Sequence, residues 1–317
     1  MSEGSPATAV VFAYHDVGVR CLSVLLAGGV DVRLVVTHRD QPVERIWFDS
    51  VELLARRQRI EVITPDSVDT ATIGQVAALA PDFLFSFYYR SMLPVPLLDL
   101  ARRGALNMHG SLLPRYRGRA PVNWAVLHGE RLTGASLHYM VASPDAGDLV
   151  DQMPVPILPE DTAGDVLRKV TVAAELVLER TLPGLLAGTA PRTPLDLATG
   201  SYFGGRRPED GRIDWSQPAA TIHNLVRAVA PPYPGAFAEF GGQPARILRT
   251  RCPALGPGRT PGRTPGRLPG DRLLRVVDDR LQVCCADGQL LEILELEVNG
   301  KGVSAGEFAS RHGTVQL

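Results

Sequence analysis

The first two hundred residues alternate short apolar runs with amphipathic segments. Runs rich in β-branched or aromatic residues predict strands at residues 9–13, 30–37, 60–63, 82–87, 105–108 and 133–138. Apolar positions at helical spacing predict helices at residues 17–27, 50–57, 70–79 and 162–186, the last with Asp161 as its N-cap. Strands that take turns with helices are typical of βαβ units, so we predict an α/β fold with a mainly parallel sheet.

The pattern changes after about residue 187. Residues 190–208 are rich in Pro, Gly and Thr, as a linker is. Beyond a predicted helix at 219–230, short strand-like runs follow at residues 236–240, 245–248, 273–277, 282–285 and 290–296. We therefore predict a small β-rich second domain that a barrel fits best. A tandem Pro-Gly-Arg repeat at 257–270 is interpreted as a surface insertion, with phosphate contact through its arginines as the alternative.

The composition excludes several classes of protein. The 317 residues, 45% hydrophobic and 21% charged, are ordinary globular material. The sequence contains no apolar run of the roughly 18–20 residues that a membrane span needs and no secretory signal at its start, so we expect a cytoplasmic protein. Four cysteines without CxxC spacing favour reduced thiols over a zinc site, and no metal is expected. A net charge of −1 argues against a protein that binds nucleic acid mainly by electrostatics.

The candidate chemistry is densest between Asn107 and Trp124. Asn107 and His109 stand two residues apart at the carboxyl end of a predicted parallel strand, so both side chains point towards the side where such sheets bind ligands. An amide beside an imidazole suits acyl transfer, because the amide donates to an oxyanion while the imidazole exchanges a proton with nitrogen. Asp145, just after another predicted strand, is the candidate that sets the tautomer of the histidine.

An Asn-x-His pair alone more often contains a structural histidine, so its neighbours decide the interpretation. A loop stiffened by proline and glycine follows, and it carries Arg115, Arg117 and Arg119. Three arginines on a stiff loop form a clamp for an anionic ligand. For each arginine taken singly, a solvated loop is the alternative.

This stretch resembles the signature of the 10-formyltetrahydrofolate-dependent formyltransferases. The matching residues are Asn107-x-His109, the string His-Gly-Ser-Leu-Leu-Pro-x-Tyr-Arg-Gly from His109 onward, and Asp145 followed by Ala-Gly. Further matches lie at residues 12–16, 85–90, 206–215 and 226–230. In this detail the chain is most similar to the branch that formylates UDP-4-amino-4-deoxy-L-arabinose in bifunctional polymyxin-resistance enzymes. Those enzymes also carry an NAD-dependent decarboxylase domain, but the sequence here has no GxGxxG fingerprint, so we expect no decarboxylation.

The resemblance implies a fold and a catalytic role for each of three residues. It implies a Rossmann-like catalytic domain at 1–190, a linker at 191–205, and an OB-like domain at 206–317 with the Pro/Gly/Arg insertion at 256–270. Asn107 would stabilise the tetrahedral oxyanion as an amine attacks the formyl carbonyl. His109 would shuttle the proton, and Asp145 would raise or steer its basicity.

The resemblance also implies two small-molecule substrates, and no nucleic acid or membrane partner. The formyl donor would be 10-formyltetrahydrofolate, with contacts at Ser91, Met92, Leu93, Arg119, Val141, Ala142, Ser143 and Pro144. Ser91-Met92 replaces the His-Leu pair that is usual in the arabinose enzymes. The acceptor would be a nucleotide-linked amino sugar, with candidate contacts at Tyr14, Arg115, Arg117 and Arg206.

Three alternative functions stay open. The enzyme that formylates methionyl-tRNA is the main competitor, but it opens with a Phe-x-Gly-Thr-Pro turn where this chain has Phe-Ala-Tyr-His-Asp. A tRNA enzyme also needs a basic C-terminal domain, whereas basic residues only slightly outnumber acidic ones after Gly200. A non-catalytic nucleotide-sugar-binding protein has no use for the Asn, His and Asp trio, while a formyl-folate hydrolase would need it. The sequence leaves open the sugar, the nucleotide, the oligomeric state and the pathway, whether lipid A, polysaccharide or natural product.

Overall fold

The alternation of strands and helices forms two units, each of which is described by itself. The computed structural model describes residues 5–40, 46–253 and 273–317. The first unit contains Met1–Pro121, Thr133–Val155 and Arg168–Phe203, and the second contains Val122–Leu132, Pro156–Leu167 and Gly204–Leu317. The domain boundaries at residues 190 and 206 stay a prediction. The Pro-Gly-Arg repeat lies outside the described residues.

The elements follow one another along the chain as strands β1–β16 and helices α1–α8. In order they are β1 (Thr8–Ala13), α1 (His15–Ala27), β2 (Asp31–Val36), α2 (Val51–Arg57), β3 (Glu61–Ile63), α3 (Thr70–Leu79), β4 (Phe83–Phe87), α4 (Val95–Leu98), β5 (Gly104–His109), β6 (Arg117–Gly118), α5 (Pro121–Leu127), β7 (Leu132–Tyr139), β8 (Leu149–Pro156), α6 (Ala163–Ala187), β9 (Tyr202–Phe203), α7 (Ala219–Val229), β10 (Ala236–Phe240), β11 (Gln243–Arg251), β12 (Leu273–Val277), β13 (Arg280–Cys284), β14 (Leu290–Val298), β15 (Lys301–Gly302), α8 (Ala305–His312) and β16 (Val315–Gln316). Short 3₁₀ helices lie at Leu197–Thr199 and Pro208–Gly211.

The first unit is built on a seven-stranded sheet of order β3-β2-β1-β4-β5-β7-β8 within the described residues. Five neighbouring strands of this sheet, β3, β2, β1, β4 and β5, run parallel to one another. Strand β7 is antiparallel to β5. All five residues of β4 are buried, because a central parallel strand is covered on both faces. The strand order reverses beside β1, and ligands of open α/β sheets bind beyond the carboxyl ends of the strands near such a reversal.

The second unit is β-rich, as predicted. Its sheet has the order β10-β11-β14-β13-β12-β16, with β15 beside β14, and its recorded pairings are antiparallel. The inward faces bury a core that includes Trp215, Phe240 and Phe308. Across β11 and β14 the outward face carries Arg–Glu pairs, each of which adds a small cross-strand stabilisation. The predicted fold class, a Rossmann-like domain followed by a small β-rich domain, is confirmed.

Two details of the sequence prediction have clear outcomes. Asp161 is not the N-cap of α6: the helix begins after Thr162, whose N–H donates to Asp165 while its Oγ1 accepts from the Asp165 N–H. This reciprocal pair is a capping box, and Asp161 instead accepts from the N–H of Leu158. Cysteines Cys21, Cys252, Cys284 and Cys285 are free and buried, as expected.

A buried histidine in the second unit has a structural role. His223 is 1% exposed, donates from Nε2 to the carbonyl of Pro159 at 3.0 Å, and accepts at Nδ1 from Thr250 Oγ1 at 2.9 Å. Burial, and then the charge of Arg227, lower its pKa to about 4, although the Pro159 carbonyl opposes the shift. The folded protein therefore requires the neutral ring.

We expect this requirement to appear as acid sensitivity. The pKa of His223 is lower in the folded state than in the unfolded state, so its contribution is complete above pH 6.5 and is lost as the pH falls towards 4. The loss amounts to about 3 kcal/mol in the free energy of unfolding. Urea unfolding of the native protein and of His223→Gln between pH 8 and pH 4.5 measures it. Equal pH dependence in both proteins would show that His223 does not carry the effect.

Candidate active site

The candidate site is built from the carboxyl end of β5 and the loop after β7. Asn107 and His109 alternate along β5, which places their side chains on one face of the strand. Asp145 lies in the loop that follows β7, with a left-handed backbone at φ 50°. Asp145 Oδ1 lies 3.3 Å from Asn107 Nδ2 and 3.5 Å from His109 Nδ1. Two of the three residues that sequence reasoning selected, Asn107 and His109, therefore converge on one carboxylate oxygen of the third.

A fourth side chain, His138 on β7, completes this cluster and was missed by sequence reasoning. Its Nε2 lies 3.4 Å from Asp145 Oδ1 and 3.2 Å from Asn107 Nδ2, and the residue is 1% exposed. His138 stands directly opposite Asn107 in the antiparallel pairing of β5 with β7. Opposed residues of such a pair share a face of the sheet, so the register brings the imidazole to the site.

Backbone groups fix the tautomers of both histidines. His109 Nε2 lies 2.8 Å from the carbonyl oxygen of Tyr116, and His138 Nδ1 lies 2.8 Å from the carbonyl oxygen of Tyr139. A carbonyl oxygen only accepts, so each of these nitrogens carries the hydrogen. The nitrogens that face Asp145, His109 Nδ1 and His138 Nε2, are therefore the basic nitrogens of the two neutral rings.

The electrostatics separate the roles of the carboxylate and the imidazole. Burial lowers the pKa of His109 and outweighs the opposing effects of Asp145 and the Tyr116 carbonyl. Burial also disfavours the charged form of Asp145, but the carboxylate is stabilised by His109 and His138 in their cationic forms and by the Gly118 N–H, so the pKa of this carboxyl lies well below its usual range. At pH 7 the site therefore contains an ionised carboxylate beside a neutral imidazole, which can act as a base.

The arginine loop is anchored by a short strand pair. β6 pairs in parallel with β9, and the N–H groups of Arg117 and Arg119 donate to the carbonyls of Ser201 and Phe203. The ring of Tyr116 stacks on that of Phe203 at 5.1 Å, and Gly118 N donates to Asp145 Oδ2 at 2.8 Å. The segment predicted as a linker thus holds the loop whose backbone contacts both His109 and Asp145.

The predicted sugar-nucleotide contacts lie in different surroundings. Arg115 is exposed and lies over the ring of Tyr116, whereas the Nε atom of Arg117 is buried without a hydrogen-bond partner among the described residues. Tyr14 follows β1, is 5% exposed and donates to Asp40 Oδ1 at 2.7 Å. Arg206 belongs to the second unit, where its guanidinium lies 4.9 Å from the ring centre of Trp124.

Apart from Arg119, which follows β6, the predicted folate contacts occupy the loops after β4 and β7. Met92 and Val141 are large apolar residues that are 63% and 45% exposed, while Leu93 packs into the core. Arg119, Ala142 and Ser143 are exposed, and Ser91 and Pro144 are half-buried. Exposed apolar side chains of this kind suit a flat aromatic ligand.

The part of the chain that the structure describes contains neither a candidate metal site nor a candidate membrane span. His, Cys, Asp and Glu side chains there form no group of three or more that could hold a metal ion. None of the helices in the described ranges is both long and apolar enough to cross a bilayer.

Solved structures with this fold include sugar N-formyltransferases. An N-formyltransferase from Helicobacter canadensis, solved with folinic acid and dTDP-3-aminofucose, is 18% identical, covers 90% of this chain and 98% of its own, and has a TM-score of 0.70. WlaRD, a sugar 3N-formyl transferase solved with dTDP and 5-N-formyl-THF, is 16% identical over 94% of this chain and 100% of its own, with a TM-score of 0.65. A 4-N formyltransferase from Francisella tularensis is 18% identical over 74% of this chain and 93% of its own, with a TM-score of 0.60.

Family profiles cover most of the sequence. Residues 17–182 match the family described as formyl transferase, and residues 206–313 match the formyl transferase C-terminal domain. The first match contains Asn107, His109 and Asp145. The protein therefore belongs to the formyltransferase family, which confirms the enzyme class predicted from its sequence.

Proposed function

We propose that the protein transfers the formyl group of 10-formyltetrahydrofolate to the amine of a nucleotide-linked amino sugar, and that this sugar is UDP-4-amino-4-deoxy-L-arabinose. The observation that carries the proposal is the convergence of Asn107, His109 and Asp145 within 3.5 Å of one carboxylate oxygen in a member of the formyltransferase family. An amide, a neutral imidazole and an ionised carboxylate are the groups that acyl transfer to nitrogen requires.

The chemistry follows from this arrangement. The amine attacks the formyl carbon, and the carbonyl oxygen becomes an oxyanion that an N–H of Asn107 stabilises. The hydrogen on His109 Nε2 is committed to the Tyr116 carbonyl, so the proton of the attacking nitrogen passes to Nδ1 and from there to N10 of the folate. Asp145 stabilises the imidazolium that forms, because its oxygen lies on the Nδ1 side of the ring.

Different observations support the proposed donor and the proposed acceptor. Folinic acid and 5-N-formyl-THF accompany the solved structures with this fold, which supports a formyl-folate donor here. The exposed apolar side chains of Met92 and Val141 suit its pterin. The nucleotide-linked sugar is supported by dTDP-3-aminofucose in the Helicobacter canadensis enzyme, and the UDP-arabinose branch by the matching motifs of this sequence. The half-buried side chain of Arg117 offers a guanidinium for the diphosphate.

A formylation assay over a panel of acceptors tests the proposal. The purified chain is incubated with 10-formyltetrahydrofolate and UDP-, dTDP- or GDP-linked amino sugars. Mass spectrometry then shows whether each sugar has gained the mass of one formyl group. We expect transfer to UDP-4-amino-4-deoxy-L-arabinose, with a KM that rises only modestly between 50 and about 200 mM salt, because a diphosphate meets few cationic groups. UDP-arabinose, which has a hydroxyl in place of the amine, is the matched control.

Methionyl-tRNA is the alternative acceptor that the assay must exclude. A tRNA substrate engages many phosphates, so its binding would weaken by about 10³–10⁵ over the same salt range for six to ten contacts. We expect no transfer to methionyl-tRNA at any salt concentration. Efficient, salt-sensitive formylation of charged tRNA would overturn the assignment, and formate release without an acceptor would identify a hydrolase.

A further inference from the structure

Two imidazoles share a single carboxylate oxygen in the site. Asp145 Oδ1 lies 3.5 Å from His109 Nδ1 and 3.4 Å from His138 Nε2. Because the backbone holds the hydrogen of each neutral ring on its other nitrogen, neither contact contains a proton when both rings are neutral. Each ring can accept one proton, and that proton would lie between the ring and the same oxygen. The cluster therefore has two sites for protons around one negative charge.

Formyl transfer to an amino sugar releases two protons from nitrogen. The amine reaches the site as R–NH₃⁺ and leaves as R–NH–CHO, while the bond between the formyl carbon and N10 breaks. One proton goes to N10, which completes tetrahydrofolate, and the other goes to solvent. A single basic imidazole accounts for the proton that N10 receives, but the proton that must leave before the nitrogen lone pair can attack needs another acceptor.

We propose that His138 is this acceptor, acting through Asp145: the ammonium of the sugar donates to the carboxylate, and the pair of Asp145 and His138 stores the proton until it passes to solvent. His138 is in this sense a positioning residue rather than a group that touches the reacting carbon. The inference rests on the proposed function, because it requires an acceptor that arrives as an ammonium ion. His109 stays neutral during this step and takes the second proton during attack.

Protonation of His138 has a consequence for Asn107. In the neutral ring His138 Nε2 accepts from Asn107 Nδ2 at 3.2 Å, while Asp145 Oδ1 lies 3.3 Å from the same amide nitrogen. The two acceptors lie only 3.4 Å from each other, so they compete for the same side of the Asn107 amide nitrogen. Once Nε2 carries a proton it becomes a donor to Asp145 and no longer accepts from Asn107. The loss of the first proton from the substrate thereby weakens the hold of the cluster on the oxyanion donor that the next step needs.

The surroundings of His138 restrict its proton exchange to Asp145. The charged or titratable groups recorded as interacting with its ring are Asp145, from the loop after β7, and His109, from β5. Arg192 lies over the ring of the adjacent Tyr139, 3.7 Å from its centre. With the ring 1% exposed, the proton exchanges with Asp145 rather than directly with bulk water.

The dependence of activity on pH tests the proposal through His138→Gln. Glutamine keeps a polar group near the position of Nε2 but binds no proton. At pH 7 we expect kcat/KM to fall by about 10²-fold. The defect should shrink to a few-fold above about pH 9, where an amine that titrates near the 8 of an α-amino group already arrives unprotonated. His312→Gln, the same change on α8, is the control. A defect that stays constant from pH 6.5 to 9.5 would show a structural role only and overturn the proposal.

The native protein provides a second test that does not depend on the variant. Its histidine rings are labelled with ¹⁵N, and the protein is saturated with UDP-4-amino-4-deoxy-L-arabinose without the folate donor. We expect one buried ring to become protonated on both nitrogens at pH 7, and no such change with UDP-arabinose. Identical spectra with the two ligands would contradict the storage of a proton. If the native enzyme formylates none of the amino sugars, the proposed function fails; if it does so and His138→Gln has the native pH profile, only this inference fails.

Discussion

Replacing His109 with alanine is expected to lower turnover by about 10²–10⁴-fold while the chain stays folded. The ring is 6% exposed and is held by the Tyr116 carbonyl at Nε2, so Nδ1 is its only nitrogen that can take up a proton. Removing the ring removes the carrier between the attacking nitrogen and N10. It leaves Asp145 with its contacts to Asn107 and His138. Steady-state formylation with saturating substrates measures the loss.

Two controls separate lost chemistry from lost structure. His312→Ala makes the same change on α8 and should leave turnover unchanged, and circular dichroism of both variants verifies the fold. Alanine also leaves a space the size of the ring beside Tyr116, so added imidazole should restore part of the activity of His109→Ala. Near-native turnover of that variant would remove His109 from the mechanism, and a change confined to KM would limit it to substrate binding.

Hydrophobic periodicity was sufficient to predict the buried elements. The runs that form β1, β2 and β4 are apolar and rich in β-branched or aromatic residues. Such runs are typical of parallel strands that are buried on both faces of a sheet. The elements that were missed have weak or interrupted patterns. β8 contains Pro154 and Pro156, which break the signal of a strand, and α8 carries Phe308 as its one buried residue. The hydrophobic pattern of a sequence cannot predict an element that buries few apolar side chains.

Asn107, His109 and Asp145 could be selected from the sequence because they lie at predicted strand ends. His138 lay within a predicted strand too, but its role depends on the pairing of β7 with β5, in which it stands opposite Asn107. A single sequence contains no information on which strands become neighbours or in which register. The Tyr116 carbonyl was equally hidden, because a backbone group has no residue type to mark it. The closeness of these three side chains was therefore predictable, and the contacts that set the tautomers were not.

Asp145→Asn should be the most damaging of the conservative substitutions, with turnover lower by on the order of 10³–10⁴. Asparagine has the same size and tolerates the left-handed backbone at φ 50°, and its carbonyl can still accept from the Gly118 N–H. The negative charge, however, is gone. A neutral amide cannot stabilise an imidazolium as a carboxylate does. If the amide nitrogen faces the two rings, it also donates to the ring nitrogens that must accept protons.

The control for this substitution is Asp151→Asn. Asp151 on β8 pairs with Arg180 of α6 in a partly exposed ion pair of the kind that contributes little, so this variant should keep native turnover. Both variants are assayed from pH 6 to 9 with UDP-4-amino-4-deoxy-L-arabinose as acceptor. Because Asp145 is ionised throughout this range, its loss should depress activity at every pH, whereas the defect of His138→Gln should fade as the amine loses its proton. An Asp145→Asn enzyme with more than about a tenth of native turnover would mean that the carboxylate does not take part in proton transfer.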